Sequence, residues 1–289
     1  MTGSKRLYLM KLLTINVHSL QGKNWRQDLQ ELVEGILREQ PDLIAMQEVN
    51  QTSHGHHIDP EYLKGMYPIP GHVSIRRDNY AALVANLLQK AGVDCSWVWL
   101  PVKRGYDIYD EGVAIISMNR KIQNVDIFPV SRSSDYMNWR TRKVLGVRLE
   151  GLDDWFYCIH MGWWHDTSEP FLHQWKVLSC CVAGKRMCGT VWLLGDFNAP
   201  TCFRGESYDA IAHSGWYDAY QAAQIRKGEE TLPGNSDGLA QNGEIHQGMR
   251  LDQIWCSERK PIRSCCVVFD GKRGGIVSDH YGVLVETGN

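Results

Sequence analysis

VWLLGDFNAP, residues 191–200, is the stretch on which the reading turns. Four large apolar residues predict a buried strand. The strand runs straight into Gly195, Asp196, Phe197 and Asn198. A carboxylate and an amide are costly at the end of a buried strand unless they are paired or put to use. The same design recurs along the chain. KLLTIN (11–16) ends on Asn16, and DLIAMQEV (42–49) carries Gln47 and Glu48 at its polar end. WFYCIHMG (155–162) holds His160, LDQIWCS (251–257) begins beside Asp252, and IVSDHYGVLVE (276–286) passes through Asp279 and His280 into a last strand. If such strand ends converge, they make one site.

Around these strands, residues 25–39 place Leu29, Leu32, Val33, Ile36 and Leu37 at helical spacing, and Pro41 stops that helix. Strand, helix and strand in this length predict a βαβ unit. Residues 79–91 and 166–183 predict two further helices. CSWVWLPV (95–102), GVAIIS (112–117), KVLGVRLE (143–150) and VVF (267–269) predict strands. Residues 51–77 and 201–247 read as loops, the latter with short helices. The strands are too many for one sheet with so few helices, which implies two stacked sheets with helices outside. Residues 1–9 read as a leader and 10–289 as one domain, with Met10 an alternative start.

The chain has 289 residues and a formal net charge of −2. Proteins that grip duplex DNA through its phosphates carry a basic face, so this balance argues against a general nuclease and a stable nucleic-acid partner. Nine cysteines without a CxxC pair suggest a reducing, cytoplasmic setting. No stretch approaches the ~20 apolar residues of a membrane span.

Seven short pieces, in order, resemble the endonuclease/exonuclease/phosphatase (deoxyribonuclease I-like) superfamily: TIN (14–16), QE (47–48), EGVAI (111–115), IH (159–160), GDFN (195–198), RLDQIW (250–255) and SDH (278–280). Each alone is weak; GDFN and SDH with an upstream QE are together specific. The resemblance implies an α/β, four-layer αββα sandwich of two mixed sheets. It also implies Mg²⁺, with Mn²⁺ a substitute, and hydrolysis of a phosphoester by an activated water. It assigns Glu48, supported by Asn16 and Asp279, to the metal. Asp196 aligns and deprotonates the water, and Asn198 holds a phosphoryl oxygen. His280 offsets transition-state charge with Asp252 fixing its tautomer, and His160 serves the leaving oxygen with Glu111 orienting it. In the nuclease branches an Asp commonly stands two residues after the first-strand Asn; NVH puts His18 there, as a residue lining the substrate. Segments DNYAALVANLL (78–88), GYDIYDEGVAIIS (105–117), NWRTRKVLGV (138–147) and HMGWWHDTSEPF (160–171) are similar to a bacterial subgroup that includes maltose 6′-phosphate phosphatase.

The resemblance therefore implies a phosphatase of a small phosphorylated molecule such as a sugar phosphate. A nuclease or abasic-site endonuclease of the same fold is the alternative, and a catalytically dead binding module ranks last. Trp163 and Trp164 could stack on a sugar or belong to the core. Arg142 could clamp a phosphate with its planar fork, while Arg140 and Lys143 read as a solvated strand end. His54, His56 and His57 read as a polar loop, since no carboxylate completes a zinc set.

Overall fold

Strand β1 (Lys11–Asn16) shows how the layers form. Leu12 and Leu13 point to opposite faces, as the two-residue repeat of a strand demands, and both are buried. Each therefore belongs to a different core. The computed structural model describes residues 9–71, 73–234 and 248–288. In it β1 lies parallel to β2 (Leu43–Thr52) and antiparallel to β13 (Gly282–Thr287). With β3 (Cys95–Gly105), β4 (Tyr109–Met118), β10 (Ala223–Lys227) and β12 (Ile262–Val268) they make a seven-stranded sheet of order β10-β12-β13-β1-β2-β4-β3. The second sheet has six strands in the order β5-β6-β7-β8-β11-β9. These are β5 (Ile122–Pro129), β6 (Lys143–Leu149), β7 (Trp155–His160), β8 (Val191–Asp196), β9 (Tyr217–Asp218) and β11 (Asp252–Cys256).

Leu12, Leu43, Val98, Ile115 and Val285 of the first sheet meet Leu145, Phe156, Leu194 and Ile254 of the second. The opposite face of the first sheet, with Leu13, Ile15 and Ile44, packs on Leu32 and Ile36 of α1 (Trp25–Glu39) and Leu88 of α2 (Tyr80–Lys90). The outer face of the second sheet, with Tyr157, Ile159 and Leu193, packs on Trp175 and Leu178 of α3 (Phe171–Arg186) and Ile211 of α4 (Ser207–His213). The result is the four-layer αββα sandwich, a deoxyribonuclease I-like fold. Truncating a fully buried Leu32 or Ile36 to Ala would cost about 2–5 kcal/mol.

Several boundaries differ from the sequence reading. Helix α3 starts at Phe171, not near 166, because Asp166 Oδ1 accepts from the backbone N–H groups of Ser168 and Glu169 and folds that stretch into a turn. Strand β2 continues past Glu48 to Thr52, and β3 past Val102 to Gly105. Strands β5, β9 and β10 were not legible; β5 is an edge strand and β10 carries four exposed residues. Edge strands lack the apolar run that marks a central one. Residues 235–247 of the expected loop, and 1–8 of the expected leader, lie outside the described residues. Among the described residues no helix is long and apolar enough to cross a membrane.

Candidate active site

Strand register gathers the polar strand ends. Asp196, the last residue of β8, lies between His160 on parallel β7 and Asp252 on antiparallel β11. Directly paired residues project from the same face of a sheet, so the three share one row. In the other sheet Asn16 ends β1 opposite Gln47. A register shift between Met46 and Val49 then interrupts β2. Glu48 sits in that bulge with φ +55°. A non-glycine residue held in this region costs about 1–3 kcal/mol and persists only when its surroundings enforce it. Here they do: Ser19 Oγ donates to the Glu48 carbonyl at 2.7 Å and accepts from Asn50 N–H at 3.1 Å. The bulge turns the Glu48 carboxylate toward the second sheet.

Asn16 joins the two sheets. Its Nδ2 donates to Glu48 Oε1 at 3.1 Å and to Asp196 Oδ2 at 3.3 Å. His18, itself at φ +47°, places Nδ1 3.3 Å from Glu48 Oε2 and 3.8 Å from Asp279 Oδ1. Burial would raise the pKa of Glu48, but the His18 hydrogen bond and the nearby imidazoles outweigh it, so the carboxyl stays below its usual range. His18 is raised by the same hydrogen bond, against its own burial.

Asp196, Asp252 and His280 form a buried cluster whose ligating atoms lie within 4.8 Å of one another. His280 Nδ1 is 2.8 Å from Asp252 Oδ2, a contact that fixes the ring. Burial disfavours the imidazolium of His280, yet the Asp252 charge and hydrogen bond raise its pKa well above the ordinary value. Burial pushes Asp196 up to about 7, assisted by Asp252 and Glu48 and opposed by His280. Asp252 Oδ1 is buried with no hydrogen-bond partner. Asn198, at φ +47°, donates from its backbone to Asp196 Oδ1 at 2.8 Å and from Nδ2 to the Met161 carbonyl at 3.0 Å.

His160, 3.8 Å from Asp196, lines a small cavity with Lys103, Glu111, Thr141 and Arg142. Its free volume is about 10 Å³, room for one water-sized group. Burial, reinforced by the charges of Arg142 and Lys103, lowers the His160 pKa well below its usual value. The Glu111 carboxylate engages Lys103 Nζ at 3.0 Å rather than His160. Arg142 donates from Nη1 to the carbonyls of Trp139 and Thr141, and its Nε is buried without a partner. Lys103 escaped the sequence reading because β3 was expected to end one residue earlier; its place directly after an apolar run was the available signal.

Trp163 and Trp164 lie tilted at 3.9 Å between centroids and pack with Phe203, Leu232, Met249 and Leu251 in a small apolar cluster. Arg140 pairs with Asp166 at 2.7 Å. His57 contacts Arg76 on an exposed loop, apart from the acids. Two donor sets could hold a cation. One is Glu48 with Asn16 and Asp279, whose carboxylate side chains are 22% and 45% exposed. The other is the buried Asp196–Asp252–His280 cluster, in which His280 Nδ1 is already engaged by Asp252. Mg²⁺ favours oxygen ligands and keeps several waters, so the solvent-facing oxygen set at Glu48 fits it better.

Two stacked sheets with acids, amides and imidazoles gathered at their common edge define a class of hydrolases. The profile of the Endonuclease/Exonuclease/phosphatase family matches residues 13–280, and the chain belongs to that family. It is a phosphoesterase by family. Among solved structures it is similar to an endonuclease/exonuclease/phosphatase family protein from Leptotrichia buccalis (TM-score 0.82, 28% identity, 97% of this chain and 100% of the other). The mannosyl-6-phosphatase Bt3783 of Bacteroides thetaiotaomicron shares the fold (TM-score 0.67, 18% identity, 97% and 100% covered). So does a truncated TDP2 of Caenorhabditis elegans (TM-score 0.60, 16% identity, 98% of each). No curated protein matches.

Proposed function

We propose that the protein is a metal-dependent phosphatase of a small phosphomonoester, a sugar phosphate being the leading class. One observation carries this reading. Two buried cations, Lys103 and Arg142, flank His160 in a narrow, partly open niche, where Glu111 pairs with Lys103. A phosphomonoester is close to a dianion at neutral pH, whereas each phosphodiester of a nucleic acid carries one charge. A narrow niche walled by a guanidinium suits a terminal phosphate, doubly charged and substituted on one side only, over a diester that carries a chain on both. The net charge of −2 supports the same choice, as does the similarity of fold to a mannosyl-6-phosphatase.

A Mg²⁺ or Mn²⁺ ion held by Glu48, with Asn16 and Asp279 beside it, would neutralise charge on the phosphoryl oxygens. The chain's own groups do the rest. Asp196, held by Asn16 and the Asn198 N–H, aligns a water and takes its proton as the water oxygen bonds phosphorus. The ester P–O bond breaks on the opposite side. His280, locked by Asp252, and Arg142 stabilise the phosphoryl oxygens. His160 stands beside two cations, where a further positive charge is unfavourable. Its Nε2 lies 3.8 Å from Asp196 Oδ2, so its part is a hydrogen bond to a phosphoryl oxygen, and the leaving oxygen takes its proton from solvent water as it departs. Nine free cysteines, several buried, fit a reducing, cytoplasmic setting.

The test is release of phosphate from hexose phosphates, nucleoside monophosphates and a phosphodiester, each with Mg²⁺ and with Mn²⁺. Turnover of monoesters ahead of the diester is expected. Cleavage of diester or abasic DNA without monoester turnover would refute the phosphatase reading.

A further inference from the structure

Lys103 and Arg142 share an anchor. Lys103 Nζ donates to the Trp139 carbonyl at 3.0 Å, and Arg142 Nη1 donates to the same oxygen at 2.8 Å. Trp139 is thus bound through its main chain to both cations of the niche. Its side chain does the opposite of what a large aromatic ring does in a packed protein: the residue is 55% exposed. The exposure is not looseness. Thr141 N–H donates to the Asn138 carbonyl at 2.9 Å and Arg140 N–H to Asn138 Oδ1 at 3.0 Å, closing a tight turn around Trp139. The Arg140 guanidinium backs the indole at 4.2 Å from its centroid, and is itself pinned by Asp166 at 2.7 Å. An indole backed by Arg140 is therefore presented to solvent from the turn whose carbonyl anchors the cations that would hold a phosphoryl group.

A second exposed ring stands near the same acids. Tyr106, 71% exposed, sits at the β3–β4 turn with φ +49°. Burial raises its pKa, and the charges of Glu48, Glu111 and Asp279 raise it further, which places its hydroxyl within their field.

Resting on the phosphatase reading, we propose that Trp139 is the platform on which the ring of the leaving group stacks, and that it sets a preference for ring-bearing over acyclic phosphomonoesters. The C–H face of a pyranose is apolar and flat enough to cover an indole, and the exposed ring area that the turn maintains would be buried only with such a leaving group bound. The recognised chemistry is a sugar ring carrying phosphate on an exocyclic carbon, long enough to reach from the niche to the indole.

The experiment compares kcat/KM for glucose 6-phosphate and glycerol 3-phosphate in the parent, in Trp139→Ala and in Trp139→Phe. Substitution leaves the main-chain carbonyl in place, so the anchor for Lys103 and Arg142 survives. In Trp139→Ala the ratio of the two specificity constants is expected to fall about ten-fold, mainly through KM for the hexose phosphate, and Trp139→Phe restores most of it. An unchanged ratio, whether or not both activities drop, would overturn the platform. So would a parent that turns over glycerol 3-phosphate ahead of the hexose phosphate. A parent that hydrolyses neither monoester would overturn this inference, and diester cleavage alone would sink the phosphatase reading as well.

Discussion

Asp196 is fully enclosed and stands beside another carboxylate, Asp252, an arrangement that stability alone would not select. Burial pushes its pKa up to about 7, so keeping it charged costs the fold free energy. Such a cost is retained where the group has work to do. Asp196→Asn keeps the shape and removes the charge. Relief of the buried charge offsets the loss of one acceptor for Asn16 or Asn198, so the variant is expected to melt close to the parent and to lose phosphate release by about 10²-fold or more. A thermal melt and a phosphate assay on the same sample check both halves; a melt lowered by several degrees would mark the carboxylate as structural instead. At this scale the sequence was most informative. Asp196, Asp252 and His280 announced themselves because charged residues abutting apolar runs have few bland explanations. Lys103 and Trp139 did not, since a lysine past a strand and a tryptophan in a turn are ordinary until their contacts are seen.

At the scale of elements, β7 and β8 approach too closely for any side chain at one position. A Cβ on Gly195 would lie 1.9 Å from the Ile159 carbonyl oxygen, and the obstacle is backbone that cannot move aside. Gly195→Ala is therefore expected to cost several kcal/mol, of order 3 or more, and to leave little soluble protein; recovery of a well-folded variant with parental circular dichroism would contradict this packing. A different element contact governs pH dependence. Glu39 closes α1 with a negative charge at the helix's negative end, an unfavourable place. Arg273, from the segment joining β12 to β13, offsets it with two bonds at 2.9 and 2.6 Å. That hydrogen bonding, stronger than the opposing burial, lowers the Glu39 pKa. Because the folded pKa lies below the unfolded one, the contribution is complete above the unfolded value, near pH 4.3, and fades as pH falls through the folded one. The pair is partly exposed, so its worth is about 1 kcal/mol or less. Urea unfolding of Glu39→Gln and parent should differ at pH 7 and converge as pH falls below the usual carboxylate range. A gap that persists at low pH would assign the effect to something other than the ion pair. The pair itself was invisible in the sequence, because 234 positions separate its partners. The bulge at Glu48 was equally hidden: DLIAMQEV reads as a strand that ends, whereas β2 carries on and only its register slips.

Over the whole molecule, the layers were legible because each central strand repeats the same alternation of two buried faces. The site was legible only as residue types, because convergence depends on register and on how two sheets are stacked. That stacking has an energetic consequence. Glu48 and Asn16 belong to the first sheet, His18 follows β1, and Asp196 belongs to the second sheet, with Asn16 Nδ2 donating across to both acids. Glu48, Asp196, Asp252 and Asp279 crowd around that junction, with His18, His160 and His280 between them. A divalent cation at Glu48 would offset the charge of these acids and would bind the folded chain alone, since an unfolded chain cannot assemble ligands from both ends of its sequence. Saturating cation, at about 100 times its dissociation constant, adds roughly 2.7 kcal/mol of stability, which for a chain of this size raises the melting temperature by about 5 °C. Mg²⁺ is therefore expected to raise the melting temperature of the parent, EDTA to reverse the rise, and Glu48→Gln to abolish the rise, from a metal-free melt somewhat below the parental one because the His18 and Asn16 bonds to the charge are lost. This measurement needs no substrate, so it separates the metal site from the choice of phosphoester. An equal rise in Glu48→Gln would move the cation to the Asp196–Asp252–His280 cluster, and an absent rise in the parent would leave Glu48 without the ligand role argued for it.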